Sequence, residues 1–164
     1  VLTTIVLQDA FCAIVRQHIA NVSCYSVWTP AKDEETDKVN TPALFWRAQD
    51  TEDLAIQAQA LRPVFVIDCL FLDQTSSDRS NRERDEAHSK MNAIARQCWA
   101  KFYQTYVIAS NSYQGVPLDF DPDQVGIVKY APFWDSGTAQ YTGVRLTVRI
   151  VSGAPDICED YFRA

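Results

Sequence analysis

A chain of 164 residues with 47% hydrophobic and 22% charged side chains can bury one sizeable core, which excludes a disordered segment and a disulfide-stapled miniprotein. Its net charge of -6 excludes a general nucleic-acid grip, because phosphate contacts come from clustered Lys and Arg. The one basic concentration, Arg79, Arg82 and Arg84, is interleaved with Asp78, Glu83 and Asp85, although DNA sliding past without adhesion is compatible with such a balance.

The opening segment predicts an amphipathic helix from about Thr4 to Ala20, because Leu7, Phe11, Ile14, Val15, His18 and Val22 recur at spacings of three and four. His18 falls on the apolar side and reads as a packed core or edge histidine. Asp9, Arg16 and Gln17 interrupt the apolar residues here, so neither a leader nor a membrane span is expected, and the chain reads as soluble and intracellular. Val22 to Trp28 fits a short strand. Pro30 and the charged run Lys32 to Lys38 read as a solvated loop.

Thr41 to Arg47 predicts a strand entered through Pro42, where a missing amide is tolerated. An extended region from about Leu54 to Ala60, broken near Pro63, continues as Val64 to Asp73. In that run Val64, Val66, Leu70 and Leu72 share one face and Phe65, Ile67, Cys69 and Phe71 the other. Two apolar faces predict a central strand, covered by helices on one side and by a neighbouring subunit on the other. Asp68 interrupts the first face. A buried carboxylate is costly unless paired, so it accepts hydrogen bonds from backbone or an arginine, forms half of an active site, or is simply exposed near a subunit boundary.

Asn81 is positioned to cap a long helix, with Glu83 and Asp85 favourable in its first turn. Ala87, Met91, Ile94, Ala95, Cys98, Phe102 and Tyr106, widened by Trp99, form its apolar stripe and assign Met91 and the aromatics to the core. Ser110 to Gly115 reads as a loop. Asp119, Asp121 and Asp123 read as an exposed acidic edge, because Pro122 intrudes and the glycine and glutamate of a calcium loop are missing. Gln124 to Pro132 predicts a further strand and Asp135 to Gln140 a loop. In the closing strand Val144, Leu146, Val148 and Ile150 face one way, and Gly143, Arg145, Thr147 and Arg149 the other.

These elements define an α+β fold, mainly an antiparallel sheet flanked by an N-terminal helix and one long central helix. Residues 1–152 are expected to form a single domain and residues 153–164 a C-terminal arm, in which Ile157, Tyr161 and Phe162 contact the domain or a neighbour. The five cysteines, Cys12, Cys24, Cys69, Cys98 and Cys158, are odd in number and widely spaced, and read as small buried thiols in a reducing compartment. No glycine-rich phosphate loop, CxxC, HExxH or G-x-S-x-G motif occurs, and His18 and His88 have no spacing relation that pairs either with a cysteine. No enzymatic activity, no cofactor and no metal are expected.

The order of segments resembles that of small tail terminator or tail completion proteins of Bacteroides- and Flavobacterium-type tailed phages and prophages. The resemblance is carried by Ile5 to Phe11, Thr41 to Trp46, Leu70 to Asp73, the Asn81 to Tyr106 helix, and Tyr141 to Ile150. It implies a structural virion protein that forms a ring, hexameric in that family, at the head–tail junction. Such a ring ends the tail tube, binds the tail tube protein and joins the neck or portal-side connector proteins while genomic DNA passes through. A head-closure adaptor contacting the portal and a small non-viral protein-binding domain are the alternatives. The candidate assembly surface comprises Phe65, Ile67, Phe71, Arg145, Arg149, Ile157, Tyr161 and Phe162.

Overall fold

The computed structural model describes residues 2–18, 22–25, 42–47, 52–57, 60–74, 81–134, 141–153 and 156–157. The chain folds as α+β. Helix α1 spans Thr4–His18, and the Thr3 hydroxyl accepts the Val6 amide at 3.3 Å, satisfying a donor that a helix start leaves open. Leu7, Phe11, Ile14 and Val15 are buried as their spacing predicts. His18 is exposed, which corrects its assignment to the packed side. Its angular position is apolar, but the last turn carries it to the surface.

The strands are β1 (Ser23–Tyr25), β2 (Ala43–Trp46), β3 (Glu52–Gln57), β4 (Ala60–Gln74), β5 (Ser112–Tyr113), β6 (Val116–Pro117), β7 (Lys129–Trp134), β8 (Tyr141–Val151) and β9 (Asp156–Ile157). The main sheet runs β1-β2-β4-β8-β7, antiparallel except for the parallel pair β1–β2. Strand β4 is its axis. It pairs with β8 from Val64↔Val151 to Gln74↔Tyr141, and its other edge takes β2 along Cys69–Leu72 and β3 along Ala60–Val64. The expected break near Pro63 is therefore not a break. The chain turns back earlier, between β3 and β4, and Pro63 lies inside β4 opposite Ser152, whose amide donates to the Pro63 carbonyl at 2.9 Å.

Helix α2 covers Asn81–Phe102 and continues as a π-helical turn at Tyr103–Ile108. Ala87, Met91, Ala95, Cys98, Trp99, Phe102 and Tyr106 are buried, so the predicted stripe is the packing face. Ser110 adopts φ +52°, and the Asn111 amide returns to the Thr105 carbonyl at 3.3 Å, a left-handed stop that satisfies an orphan carbonyl. The segment read as a loop next contains a two-residue hairpin, β5–β6. Gln114 and Gly115 both have positive φ, as the primed turns that match strand twist require.

Both helices pack on one face of the sheet. Phe11 of α1 meets Trp46, Phe71 and Phe102 at centroid separations of 5.6, 6.3 and 5.4 Å, joining helix, sheet and second helix in one aromatic cluster. Ile67, Cys69, Phe71, Val144, Leu146, Val148 and Ile150 belong to that core, as their alternation predicts. On the opposite face Ala43, Phe45, Leu70, Leu72 and Tyr141 form a second buried cluster, with Phe133 packed against it. Each fully buried Phe or Leu stabilises the fold by about 1.5–3 kcal/mol.

Candidate functional site

Charge is concentrated on the sheet face that the described helices leave open. Asp68 lies in the middle of β4, opposite Thr147, with Arg145 one row away on the same face. The Arg145 guanidinium donates two hydrogen bonds to Asp68, from Nε to Oδ1 at 2.9 Å and from Nη2 to Oδ2 at 2.7 Å. Arg47, immediately after β2, brings a second guanidinium to 3.8 Å from Oδ2. Donating to Asp68 raises the Arg145 pKa above its ordinary value, against the opposing effect of burial. Of the readings of Asp68, the arginine-paired one is what the structure contains. Both carboxylate oxygens are engaged, so the cluster pins β2, β4 and β8 together.

A second ion pair lies where β8 ends. Residues 119–121 run beside residues 151–153: the Asp121 amide donates to the Val151 carbonyl at 2.9 Å and the Gly153 amide to the Asp119 carbonyl at 2.8 Å. Asp121 Oδ2 accepts from Arg62 Nη1 at 2.8 Å, and its Oδ1 accepts the Asp123 amide at 3.0 Å, starting a short 3-10 turn at Pro122–Gln124. Asp121 is therefore a structural carboxylate and only Asp119 and Asp123 match the exposed acidic edge. Among the described residues no group of three acidic, histidine or cysteine side chains converges as a metal site would.

His88 of α2 reaches the sheet. Its Nδ1–H donates to the Gly143 carbonyl at 3.0 Å, since a carbonyl oxygen can only accept. Beside it, Arg84, Pro132, Phe133 and Thr142 line an open groove of about 300 Å³ between α2 and β7. Trp134, 51% exposed, borders the groove with the Arg84 guanidinium 4.3 Å from its ring centroid. Arg96 caps Tyr130 in the same way at 4.6 Å, so two cation–π contacts clasp α2 to β7.

The candidate assembly residues separate. Ile67 and Phe71 are fully buried beneath the helices and Phe65 packs half-buried on the same core, which corrects their placement on a surface: the chain's own helices cover that face. Arg145 is committed to Asp68, while Arg149 is exposed on the open face. Ile157 belongs to β9, which pairs with Ala60 and Leu61 of β4 and so stitches the start of the arm to the sheet. Tyr161, Phe162, Cys158, the Lys32–Lys38 run and the Asp135–Gln140 segment lie outside the described residues.

Sequence reasoning missed the edge. Strand β7 ends the sheet path, and among the described residues β8 is its one strand neighbour. Its backbone edge carries Pro132 and Lys129, and Ile127 just before it is 81% exposed. The proline was visible as a sign of an edge strand, but the identity of the edge is a property of strand order. Comparison with protein-family models gives no match to the chain, and no curated protein matches it at a significant level. No described helix is long and apolar enough to cross a membrane.

Proposed function

We propose that this chain is a structural protein of a tailed-phage virion, a ring-forming subunit that terminates the tail tube and joins it to the neck or portal-side connector. The observation that carries the reading is the β7 edge of the main sheet, whose broad face under α1 and α2 is already buried. A strand with one neighbour among the described residues, bordered by the exposed Ile127 and Trp134, is a template for pairing with the next copy, and ring closure removes the edge from every subunit. The doubly apolar strand β4, which sequence alone would offer to a neighbour, does not support it, because Ile67, Cys69, Leu70, Phe71 and Leu72 are all buried within the subunit.

The charged groups fit a scaffold. Asp68 is held on both oxygens by Arg145, and Asp121 on one oxygen by Arg62 and on the other by the Asp123 amide, so both carboxylates tie elements of the fold together. The resemblance in segment order supplies the tail tube protein and connector as partners and a hexamer as the ring. The net charge of -6 is suited to a channel through which DNA slides.

Native mass measurement of the purified protein and an image of it in assembled particles test the proposal together. A closed ring at the head–tail junction is expected, and pairing through β7 should be lost in Ile127→Asp with Trp134→Asp. A monomer both in solution and in the particle removes the ring reading.

A further inference from the structure

The chain carries a net charge of -6, yet its cations are not spread evenly. In the three rows of the open sheet face from Arg145 to Arg149, four basic side chains surround one carboxylate. The middle row crosses the sheet: Arg47, whose amide donates to the Asp68 carbonyl at 3.0 Å, is followed in register by Asp68, Thr147 and Lys129. Arg145 and Arg149 stand one row to either side on β8. From strand spacing and rise, these cations span about 14 Å across the strands and about 14 Å along β8. Asp68, with both oxygens accepting from Arg145, offsets one of the four charges. The side chains of Arg47 and Arg145 stay 37% and 40% exposed, and Lys129 and Arg149 are exposed. Among the described residues of these rows there is no exposed aromatic side chain.

We propose that this face binds the phosphate backbone of a nucleic acid, weakly and without reading its sequence. Cations spread over a broad sheet surface suit a line of charges better than one small anion, and each nucleic-acid strand presents a phosphate every ~3.4 Å along its axis. An acidic protein fits less well, because a protein interface is centred on buried aromatic anchors and these rows offer none. The net charge of -6 does not abolish the contact. At about 0.1 M salt the Debye length is about 10 Å, so acidic groups farther away are screened while a cation touching a phosphate acts in full. The acidic remainder of the chain limits the grip, which stays salt-labile and lets a duplex slide. Alternation hides the face in the sequence: Arg145 and Arg149 flank the buried Leu146 and Val148, and Arg47 and Lys129 come from distant segments.

The test titrates a fluorescein-labelled DNA duplex with the purified chain and follows anisotropy between about 20 and about 100 mM salt. Three uncompensated cations give a slope of log affinity against log salt near about -2.7, so binding is expected to weaken roughly eighty-fold over that range. Arg149→Gln alone should make the slope shallower by about 1, and Lys129→Glu with Arg149→Glu should weaken binding by roughly tenfold or more at the lowest salt. Arg82→Glu with Lys101→Glu, both exposed on α2, changes the net charge by the same amount and should leave the slope as in the parent. No salt-dependent binding by the parent, an equal loss in the α2 variant, or tighter binding of polyglutamate than of DNA overturns the proposal. The outcome is separate from the ring: a monomer that binds the duplex through this face upholds the inference, and a ring that does not bind it overturns it.

Discussion

Gly143 shows how tightly the two longest strands approach. A Cβ built there would come within 1.8 Å of the Phe71 carbonyl oxygen, a backbone atom that cannot rotate away. Gly143→Ala is therefore expected to cost about 2 kcal/mol or more, measured by urea unfolding, and to break the His88 hydrogen bond to the same residue's carbonyl. At Asp68 the sign depends on what is left behind. Asp68→Ala strands two guanidiniums over an apolar sheet, and since Arg145 is 40% exposed water offsets part of the loss, so about 1–3 kcal/mol is expected. Adding Arg145→Met should restore part of it. A double variant no more stable than Asp68→Ala would mean that the pair is incidental.

Helix α2 and strand β4 meet over buried thiols, and this makes the packing between elements sensitive to alkali. Burial pushes the Cys98 thiol up to about 12 from an ordinary value of 9.0, and burial likewise raises Cys69. Between those values the unfolded chain has lost the proton that the folded chain keeps, so stability is full below pH 9 and falls as pH rises toward 12, by about 1.4 kcal/mol per unit for each such group. Cys98→Ala should flatten the alkaline limb of a stability–pH profile, even though the lost sulfur lowers the plateau; an unchanged slope would refute the assignment. The segment beside β8 gives a second test. Replacing Asp119, Asp121 and Asp123 together with asparagine removes the charge facing Arg62 and is expected to cost about 1 kcal/mol, most of it from Asp121. Calcium or magnesium should raise the melting temperature of neither protein; a rise in the parent lost in the variant would reveal a metal site.

For the molecule as a whole, the proposed ring would assemble through the arm and the edge strand while the fold rests on the core. Deleting residues 156–164 removes the short pairing of β9 with Ala60 and Leu61 but leaves the β4–β8 ladder and the helix-covered core intact. The shortened chain should keep its far-ultraviolet spectrum and cooperative unfolding while its incorporation into particles falls several-fold. Unchanged incorporation would deny the arm a role in assembly.

Much of this architecture is legible in the chain because it depends on local periodicity. The stripe from Ala87 to Tyr106, the alternation of Val144 to Ile150 and the two apolar faces of Val64 to Phe71 each report a repeat of the backbone itself, and each forms as read. What covers a face is not local. The apolar side of Phe65, Ile67 and Phe71 belongs to α1 and α2, not to a neighbour, because residues far away in sequence fold over it. The same holds for contacts with chemical content: Asp68 with Arg145, Asp121 with Arg62 and His88 with Gly143. The sequence by itself determined which residues are apolar, in what period and in which element. Only the tertiary structure decided that Asp68 is a tether and that β7 is an edge, because strand order and register join positions that no spacing along the chain relates.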